Sequence, residues 1–391
     1  MTVSPITLDP RDMNALSDDD FRRELRGWIQ ANYPPELRFM DRRPSVHEIM
    51  PWFKALVAKG WVAPHWPREW GGMGLDIGKY LVYYDEMGRH GCGRVPDHAI
   101  HLLGPLLMSY GSQAQKDHFL PRIVSGQDIW CQGYSEPGAG SDLASLRTEA
   151  VLDGDDFVVN GQKIWTSLAP DADWIFMLVR TDREAKPQSG ISFLLADLKT
   201  PGITVRPIVN LKGEAEFAEV FFTDARVPAA NLVGEINKGW GMAKTLLGDE
   251  RIVNGSPRHA SYALRRLHVM AEHSGAMQDP AFLDRYAQLR LDLHGLTVSF
   301  QSYADALRNG GSLGPDASFL KIWATELFQR VTDEMLELAG EEGAMSRELD
   351  VGGVKVDVMN QYLESRPPTI FGGSNEVQRN ILAKLVLNLP G

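Results

Sequence analysis

The sequence is poor in cysteine and has no long apolar run. Cys92 and Cys131 are the two cysteines among 391 residues, too few for a disulfide framework, so a reducing compartment is expected. The apolar stretch 174–179 is far shorter than the roughly 18 residues that span a membrane. The N-terminus lacks the basic start and apolar segment of a secretory signal. These absences predict a cytoplasmic protein without a membrane span.

Positive charge is also scarce. The chain has 40 Lys and Arg residues against 51 Asp and Glu residues, a formal net charge of −11. An acidic chain without a basic run is poorly suited to hold nucleic acid phosphates, so no nucleic acid partner is expected. The ten histidines form no H-E-x-x-H motif, and His98 and His101 lack a third ligand, so no metal site is predicted. G-x-G-x-x-G and Walker loops are absent too.

The hydrophobic periodicity changes twice along the chain. Hydrophobic residues make up 43% and charged residues 23%, and the length predicts two or three domains. Periodicity predicts an N-terminal helical domain over 1–129, a central antiparallel β-barrel or sandwich over 130–234, and a C-terminal four-helix bundle over 235–391. The predicted fold class is therefore α+β, in the order helical, β, helical.

Capping signals predict the first helices. Ser17 with Asp20, and Ser45 with Glu48, resemble capping boxes before apolar stripes, and Gly60 is a plausible helix stop. Two further helical stretches are predicted, around residues 80–88 and 98–110.

Strand patterns follow in the central part. Asn160-Gly161 lies between apolar residues and predicts a type I′ hairpin. Further short strands are predicted in DWIFMLVRT, GISFLLADL, GITVRPI and AEVFFTD.

The helical period returns after residue 235. Apolar residues spaced alternately by four and three from Phe282 to Leu307 predict one long bundle helix. A second helix is predicted from Leu320 to Met335, ended by Gly340, and a last one from about residue 375 to 389.

Three segments have the composition of ligand sites. In the loop 131–142, glycines such as Gly140 let the backbone approach a flat ligand, and Ser135 and Ser141 supply hydroxyls. The alternative is a turn-rich connection between strands. In the segment 161–167, Trp165 could place its indole against a flat ring, the alternative being a core tryptophan.

The third segment is 366–379. Its Gly-Gly turn leads into a helix capped by Ser374 or Asn375, and helix N-termini attract anions and carbonyl dipoles. The alternative is a simple link between helices.

In this order and spacing, the three segments resemble the acyl-CoA dehydrogenase family, flavoproteins that oxidise acyl-CoA thioesters to trans-2-enoyl-CoA. The resemblance covers essentially the whole chain and includes GWVAPHWPREWGGMGLD, YGSQAQKDHFLPRIVSG, YSEPGAGSD and IFGGSNEVQR. The sequence is most similar to bacterial members that act on dicarboxylic, cyclic or steroid-side-chain acyl-CoAs, including the pimeloyl-CoA dehydrogenase large subunit.

The resemblance implies an FAD site. One side of the isoalloxazine would be lined by Gln132, Tyr134, Ser135, Gly140 and Ser141. Its other side would be covered by Trp165, with Ser167 at the N5 edge, and Ser374 and Glu376 would reach the dinucleotide. Substrate contacts would come from Ser141, Arg251 and Phe371.

Desaturation needs a carboxylate that removes the alpha proton, while flavin N5 takes the beta hydride. Many family members place this base directly after the aromatic residue of the C-terminal turn, where this chain has Gly372. Other relatives place it on a bundle helix, and the matching residue here is Glu250, with Asp249 ranked below it and Arg251 as a CoA or structural partner. The alternative is a solvated helix face. The Gly372 N–H remains a donor to the thioester oxygen.

The resemblance also implies partners. Acyl-CoA is the expected substrate and electron-transfer flavoprotein the electron acceptor, in a homotetramer, a dimer of dimers or a hetero-oligomer. Two alternatives are an acyl-CoA oxidase and a non-catalytic subunit of a hetero-oligomeric dehydrogenase. Arg94 lies near the place where dicarboxylate-specific relatives carry a cation, the alternative being a surface arginine.

Overall fold

The computed structural model describes residues 9–40, 42–244 and 255–390. The chain divides into two compact units: Met1–Phe39 with Pro44–Leu246, and Met40–Arg43 with Leu247–Gly391. The first unit contains helices followed by a β-sheet, and the second is mainly helical. The predicted order helical, β, helical is confirmed, whereas the exact domain boundaries remain predictions. None of the described helices is both long and apolar enough to cross a membrane.

The capping signals correctly predicted where the first two helices begin and where the second one ends. The first three helices are α1 (Asp18–Asn32), α2 (Val46–Lys59) and α3 (Ile77–Arg89). Ser17 caps α1 by accepting from the Asp20 N–H, and Ser45 and Glu48 form a complete capping box on α2. Gly60 ends α2 in the left-handed conformation, which glycine adopts without steric cost.

Two more helices complete this part. A π-helical turn, Ala99–Leu103, leads directly into α4 (Gly104–Tyr110), and α5 (Gln113–Val124) follows. Periodicity did not predict α5, although Ser112 and Gln115 form a capping box at its start, a signal that the sequence does contain.

The central sheet has eight strands. They are β1 (Trp130–Gly133), β2 (Glu149–Asp153), β3 (Asp156–Ser167), β4 (Trp174–Arg180), β5 (Ile191–Asp197), β6 (Ile203–Ile208), β7 (Phe217–Pro228) and β8 (Leu232–Val233). Their order is β6-β7-β3-β2-β4-β5-β8, with β1 beside β4. The pairs β1–β4 and β2–β4 are parallel, so the sheet is mixed rather than purely antiparallel. No pairing among the described residues joins β6 to β8, so a closed barrel is not confirmed.

The hairpin predicted at Asn160-Gly161 is wrong. Both residues lie inside β3, and the tight turn lies earlier, where Asp153 pairs with Asp156 and Gly154 has a φ of 64°. Instead, the Asn160 side chain bonds Asp224 across the sheet, at a bulge in β7. Tertiary pairing thus overrides the local turn signal.

The described residues of the second unit form three long helices and two short ones: α6 (Arg258–Ser274), α7 (Pro280–Arg308), α8 (Ser318–Ala339), α9 (Val358–Glu364) and α10 (Asn375–Leu385). The long helices bury a common core that includes Leu267, Leu296 and Leu327. The 4-3 spacing correctly predicted α7, and Gly340 follows α8 as predicted. The described part of the unit has five helices, so a simple four-helix bundle is not confirmed.

A small hairpin in this unit was not predicted. Strands β9 (Leu349–Val351) and β10 (Val354–Val356) pair across Gly352-Gly353, both with positive φ. A Gly-Gly dipeptide between valines is a hairpin signal, and it was available in the sequence.

Candidate active site

Of the predicted flavin loop 131–142, residues 131–133 belong to β1, and residues 134–142 form a loop that is bent back on itself. The N–H of Glu136 bonds the carbonyl of Ala139 at 2.9 Å, and the N–H of Ala139 bonds the carbonyl of Glu136 at 3.0 Å. Gly138 and Gly140 lie at the exposed end of this loop, and a Cβ on either would meet open space. The loop therefore leaves room for a ligand beside its backbone.

A buried ion pair, missed by the sequence reasoning, fastens this loop to β3. Lys163 is fully buried, and its Nζ lies 2.7 Å from Glu136 Oε1 and 3.3 Å from the Tyr134 carbonyl. The Glu136 carboxylate also accepts from the backbone N–H groups of Arg147 and Thr148, at 2.6 and 2.9 Å. The Glu136 carboxylate thereby ties the start of the loop to Lys163 of β3 and to the backbone at Arg147 and Thr148.

The charges of this pair affect each other's titration. Burial lowers the pKa of Lys163 to about 8, against the attraction of Glu136. Burial opposes ionisation of Glu136, but the Lys163 charge and the hydrogen bonds outweigh it and lower the pKa of Glu136. At neutral pH the pair is therefore ionised.

Arg180 supports the next part of the loop. Its guanidinium is buried and donates to the carbonyls of Ala144 and Leu146, at 2.6 and 3.2 Å. A rigid guanidinium with several donors suits a turn whose carbonyls have no strand partner. One buried cation, Lys163, thus holds the start of the loop, and a second, Arg180, holds the segment that follows it.

A β-bulge sets the position of Trp165. Lys163 pairs with Val220 and Thr166 pairs with Ala218, so Ile164 and Trp165 together oppose one residue of β7. Trp165 has a φ of 58°, which costs a non-glycine residue about 1–3 kcal/mol and is typical of functional sites. The side chain is 60% exposed, with its ring edge-on to Phe217 at 6.2 Å. The core alternative for Trp165 is therefore excluded.

The loop and the bulge are directly connected. The N–H of Ile164, inside the bulge, bonds the carbonyl of Ser135 at 3.0 Å. Ser167, the last residue of β3, is half-buried beside Phe217, and Ser141 is exposed at the loop. An exposed indole next to hydroxyls and an open glycine backbone fits a flat, polar-edged ring such as a flavin.

Two of the predicted flavin residues, Gln132 and Tyr134, are more buried than Trp165 and Ser141. Gln132 is half-buried in β1, opposite Phe176 of β4. The Tyr134 ring is buried and packs edge-on against Phe176 and Phe193, at 6.2 and 6.4 Å. Their roles at the flavin remain predictions.

The third predicted segment, 366–379, forms a glycine turn before α10. Gly372 and Gly373 have φ values of 64° and 78°, and Ser374 caps α10 by accepting from the Val377 N–H at 3.3 Å. Phe371, immediately before the turn, is 54% exposed, so its ring is accessible to a ligand. Glu376 is exposed in the first helical turn, where backbone and Ser374 hydrogen bonds lower its pKa. The turn offers backbone donors but no carboxylate at Gly372.

The remaining predicted site residues are Glu250, Arg251 and the specificity residue Arg94. Glu250 and Arg251 lie outside the described residues. Arg94 is half-exposed, and its Nε contacts both oxygens of Asp97 at 2.8 and 3.0 Å. A cation already engaged in this way favours the surface alternative over a dicarboxylate site.

Known protein families and relatives match most of the chain. Three family models match: the acyl-CoA dehydrogenase N-terminal domain over residues 17–127, the middle domain over 131–225 and the C-terminal domain over 237–387. Acyl-CoA dehydrogenase IpdE1 of Mycobacterium tuberculosis is 38% identical over 389 residues, covering 95% of this chain and 98% of that protein.

Solved structures of similar fold lead to the same family. The Tcur3481-Tcur3483 steroid ACAD aligns with a TM-score of 0.87 and 32% identity, over 97% of this chain and 100% of the other. The ChsE4-ChsE5 complex from Mycobacterium tuberculosis aligns with a TM-score of 0.77 and 32% identity, over the full length of both chains. With the matching models, the exposed tryptophan and the glycine loops, the chain belongs to the acyl-CoA dehydrogenase family of FAD-binding flavoproteins.

Proposed function

We propose that this protein desaturates an acyl-CoA thioester to the trans-2-enoyl-CoA. The observation that carries the proposal is the bulge in β3, which keeps the Trp165 indole exposed beside the glycine loop at a cost in backbone strain. A chain without a ring ligand would gain by burying this side chain. Gln132, Tyr134, Ser135, Gly140, Ser141 and Ser167 would complete this side of the FAD site.

Glu250 is the proposed base. Bound flavin supplies the hydride acceptor, so the chain itself must supply a carboxylate for the alpha proton. Gly372 supplies none, and the nearest acidic residue after it, Glu376, lies within the first turn of α10. Glu250, which matches the base of relatives that carry it on a bundle helix, is therefore the better candidate, and Arg251 is proposed as a substrate contact.

The turn before α10 is proposed to polarise the thioester. Among the described residues, no acceptor is hydrogen-bonded to the N–H groups of Gly372, Gly373 or Ser374. A backbone donor aimed at a developing negative charge stabilises it strongly in a dry site. The Gly372 N–H is our candidate for the thioester oxygen, with Phe371 against the acyl group and Ser374 and Glu376 towards FAD.

The acyl group is proposed to be bulky and cyclic, because one matched structure is a steroid ACAD. Electron-transfer flavoprotein is the proposed electron acceptor. A hetero-oligomer is proposed beside a homotetramer, because another match is the ChsE4-ChsE5 complex.

Anaerobic titration tests the function. The purified yellow protein is mixed with a panel of straight-chain, dicarboxylic and steroid-derived acyl-CoAs, and the flavin absorbance is followed. We expect bleaching, fastest with a steroid-derived acyl-CoA, and formation of the enoyl-CoA by mass spectrometry. A flavin that no acyl-CoA bleaches would contradict the proposal. Stoichiometric peroxide on turnover in air would favour the oxidase, and bleaching that requires an added partner chain would favour the non-catalytic subunit.

Trp165→Ala is expected to weaken FAD retention. The loss of an aromatic contact costs about 0.5–1.5 kcal/mol beyond the buried area, so the FAD dissociation constant should rise several-fold. Equilibrium dialysis measures it. Val151→Ala removes an equally exposed apolar side chain from β2 and is the control. Unchanged FAD affinity in Trp165→Ala would remove the indole from the site.

A further inference from the structure

A second buried lysine lies under the glycine turn. Lys321, in the first turn of α8, is 2% exposed, and its Nζ donates to the carbonyl of Gly373 and to Asn375 Oδ1, both at 2.9 Å. No carboxylate of the described residues lies within salt-bridge distance of this ammonium group. A buried cation without a paired carboxylate is costly, so its contacts with the turn must compensate.

The Lys321 ammonium belongs to a buried polar network. The Asn375 side chain is buried and donates to Thr325 Oγ1 and Glu326 Oε1, at 3.1 and 3.2 Å. Glu326 is in turn bound by Arg379 of α10 at 2.6 Å. These contacts fix the Asn375 amide so that its oxygen faces Lys321.

A second donor holds the same turn. Gln378, also buried, donates from Nε2 to the carbonyls of Gly372 and Gly373, at 3.2 and 3.4 Å. In a trans peptide the N–H points away from the preceding carbonyl. The bound carbonyls of Gly372 and Gly373 therefore turn the N–H groups of Gly373 and Ser374 away from Lys321 and Gln378. The Gly372 N–H belongs to the preceding peptide, so these contacts hold it only through the backbone of the same turn.

We infer that Lys321 is a positioning residue, which holds the Gly372–Gly373 turn in the conformation that offers its N–H donors to the acyl-CoA thioester. The inference rests on the proposed function, because it assigns that turn to the thioester. Glycines without this support would sample many conformations, and the donors would lose their orientation. A residue that served packing alone would affect stability but not the rate of desaturation at saturating substrate.

Lys321→Met and Lys321→Gln test the inference in the FAD-loaded protein. Methionine removes both hydrogen bonds, and glutamine retains a neutral donor. Because loss of one such donor typically costs about 10²–10³ in kcat, a misdirected donor should lower kcat about 10-fold or more in Lys321→Met. We expect a smaller decrease in Lys321→Gln, with KM and FAD content close to those of the parent. Lys355→Met, at an exposed position of β10, is the control.

The pH profile separates positioning from packing. Burial lowers the pKa of Lys321 to about 8, while Glu376 and Glu326 favour the charged form. Glu326 on α8 and Glu376 and Arg379 on α10 are the charged groups that face this network. Since the ammonium is present below its pKa, kcat of the parent should decline above about pH 8. Lys321→Gln, neutral throughout, should lack this decline.

The outcomes are distinguishable. A parent flavin that is bleached by acyl-CoA, together with unchanged kcat in Lys321→Met, overturns the positioning role and leaves the proposed function intact. If Lys321→Met does not fold, an unchanged kcat and an unaltered pH profile in Lys321→Gln overturn the role equally. A parent flavin that no acyl-CoA bleaches overturns the proposed function and this role with it.

Discussion

Glu250→Gln is expected to give a folded, yellow protein whose flavin is bleached about 10²–10⁴ times more slowly by acyl-CoA. Glutamine has nearly the shape of glutamate but cannot remove the alpha proton. FAD content and acyl-CoA affinity should therefore be maintained while the reductive step fails. Stopped-flow absorbance under anaerobic conditions measures this rate directly, before any electron acceptor is involved.

The control is Asp249→Asn, on the neighbouring carboxylate. Successive helical residues are separated by about 100°, so Asp249 and Glu250 would face different directions on a helix. Asp249→Asn should leave the rate almost unchanged. A normal rate in Glu250→Gln combined with a large loss in Asp249→Asn would transfer the role of the base to Asp249.

Gly372→Glu in the Glu250→Gln background tests the position of the missing carboxylate. Many relatives carry their base at this point of the turn, so partial recovery of flavin bleaching is expected. Recovery should be limited by the strain of a glutamate at the φ of 64° that Gly372 has, and by orientation, because a base that is misplaced by about 1 Å loses much of its effect. Complete absence of recovery would indicate that the glycine turn cannot direct a carboxylate at the substrate.

Lys163→Met is expected to destabilise the first unit by about 3–5 kcal/mol and to release FAD. The change leaves the buried Glu136 carboxylate without its counter-ion, and breaking a buried pair from one side carries this cost. Loss of the ion pair between Lys163 and Glu136 also releases the loop 134–142, which lies beside Trp165. Urea unfolding with FAD in excess, followed by tryptophan fluorescence, and the flavin-to-protein absorbance ratio measure the two effects.

Two further variants identify the cause. Lys163→Met with Glu136→Gln removes both charges, but a glutamine amide has one acceptor oxygen and serves only one of the N–H groups of Arg147 and Thr148. The double variant should therefore recover part of the stability. Lys199→Met breaks an exposed ion pair with Asp173, for which about 0–1 kcal/mol is expected. Equal losses of unfolding free energy in Lys163→Met and Lys199→Met would contradict a special role for the ion pair between Lys163 and Glu136.

The sequence by itself determined the features that depend on neighbouring residues. Ser45 and Glu48 cap α2, Gly60 ends it, and the 4-3 spacing marks α7, because capping and helical periodicity involve residues within one or two turns. The glycine loop was also evident from its composition, and so was the turn at Gly372-Gly373, where both residues have the positive φ that glycine adopts without steric cost. The family resemblance followed from the order of these segments.

Only the tertiary structure decided how the segments are used. Asn160-Gly161 has the composition of a turn but lies within β3, because pairing with β7 determines its conformation. The bulge that exposes Trp165 depends on the same pairing. Lys163 with Glu136, and Lys321 with the Gly373 carbonyl, meet across 27 and 52 residues. Contacts over such separations leave no periodicity or local motif in the chain, because they depend on which distant strand or helix packs alongside.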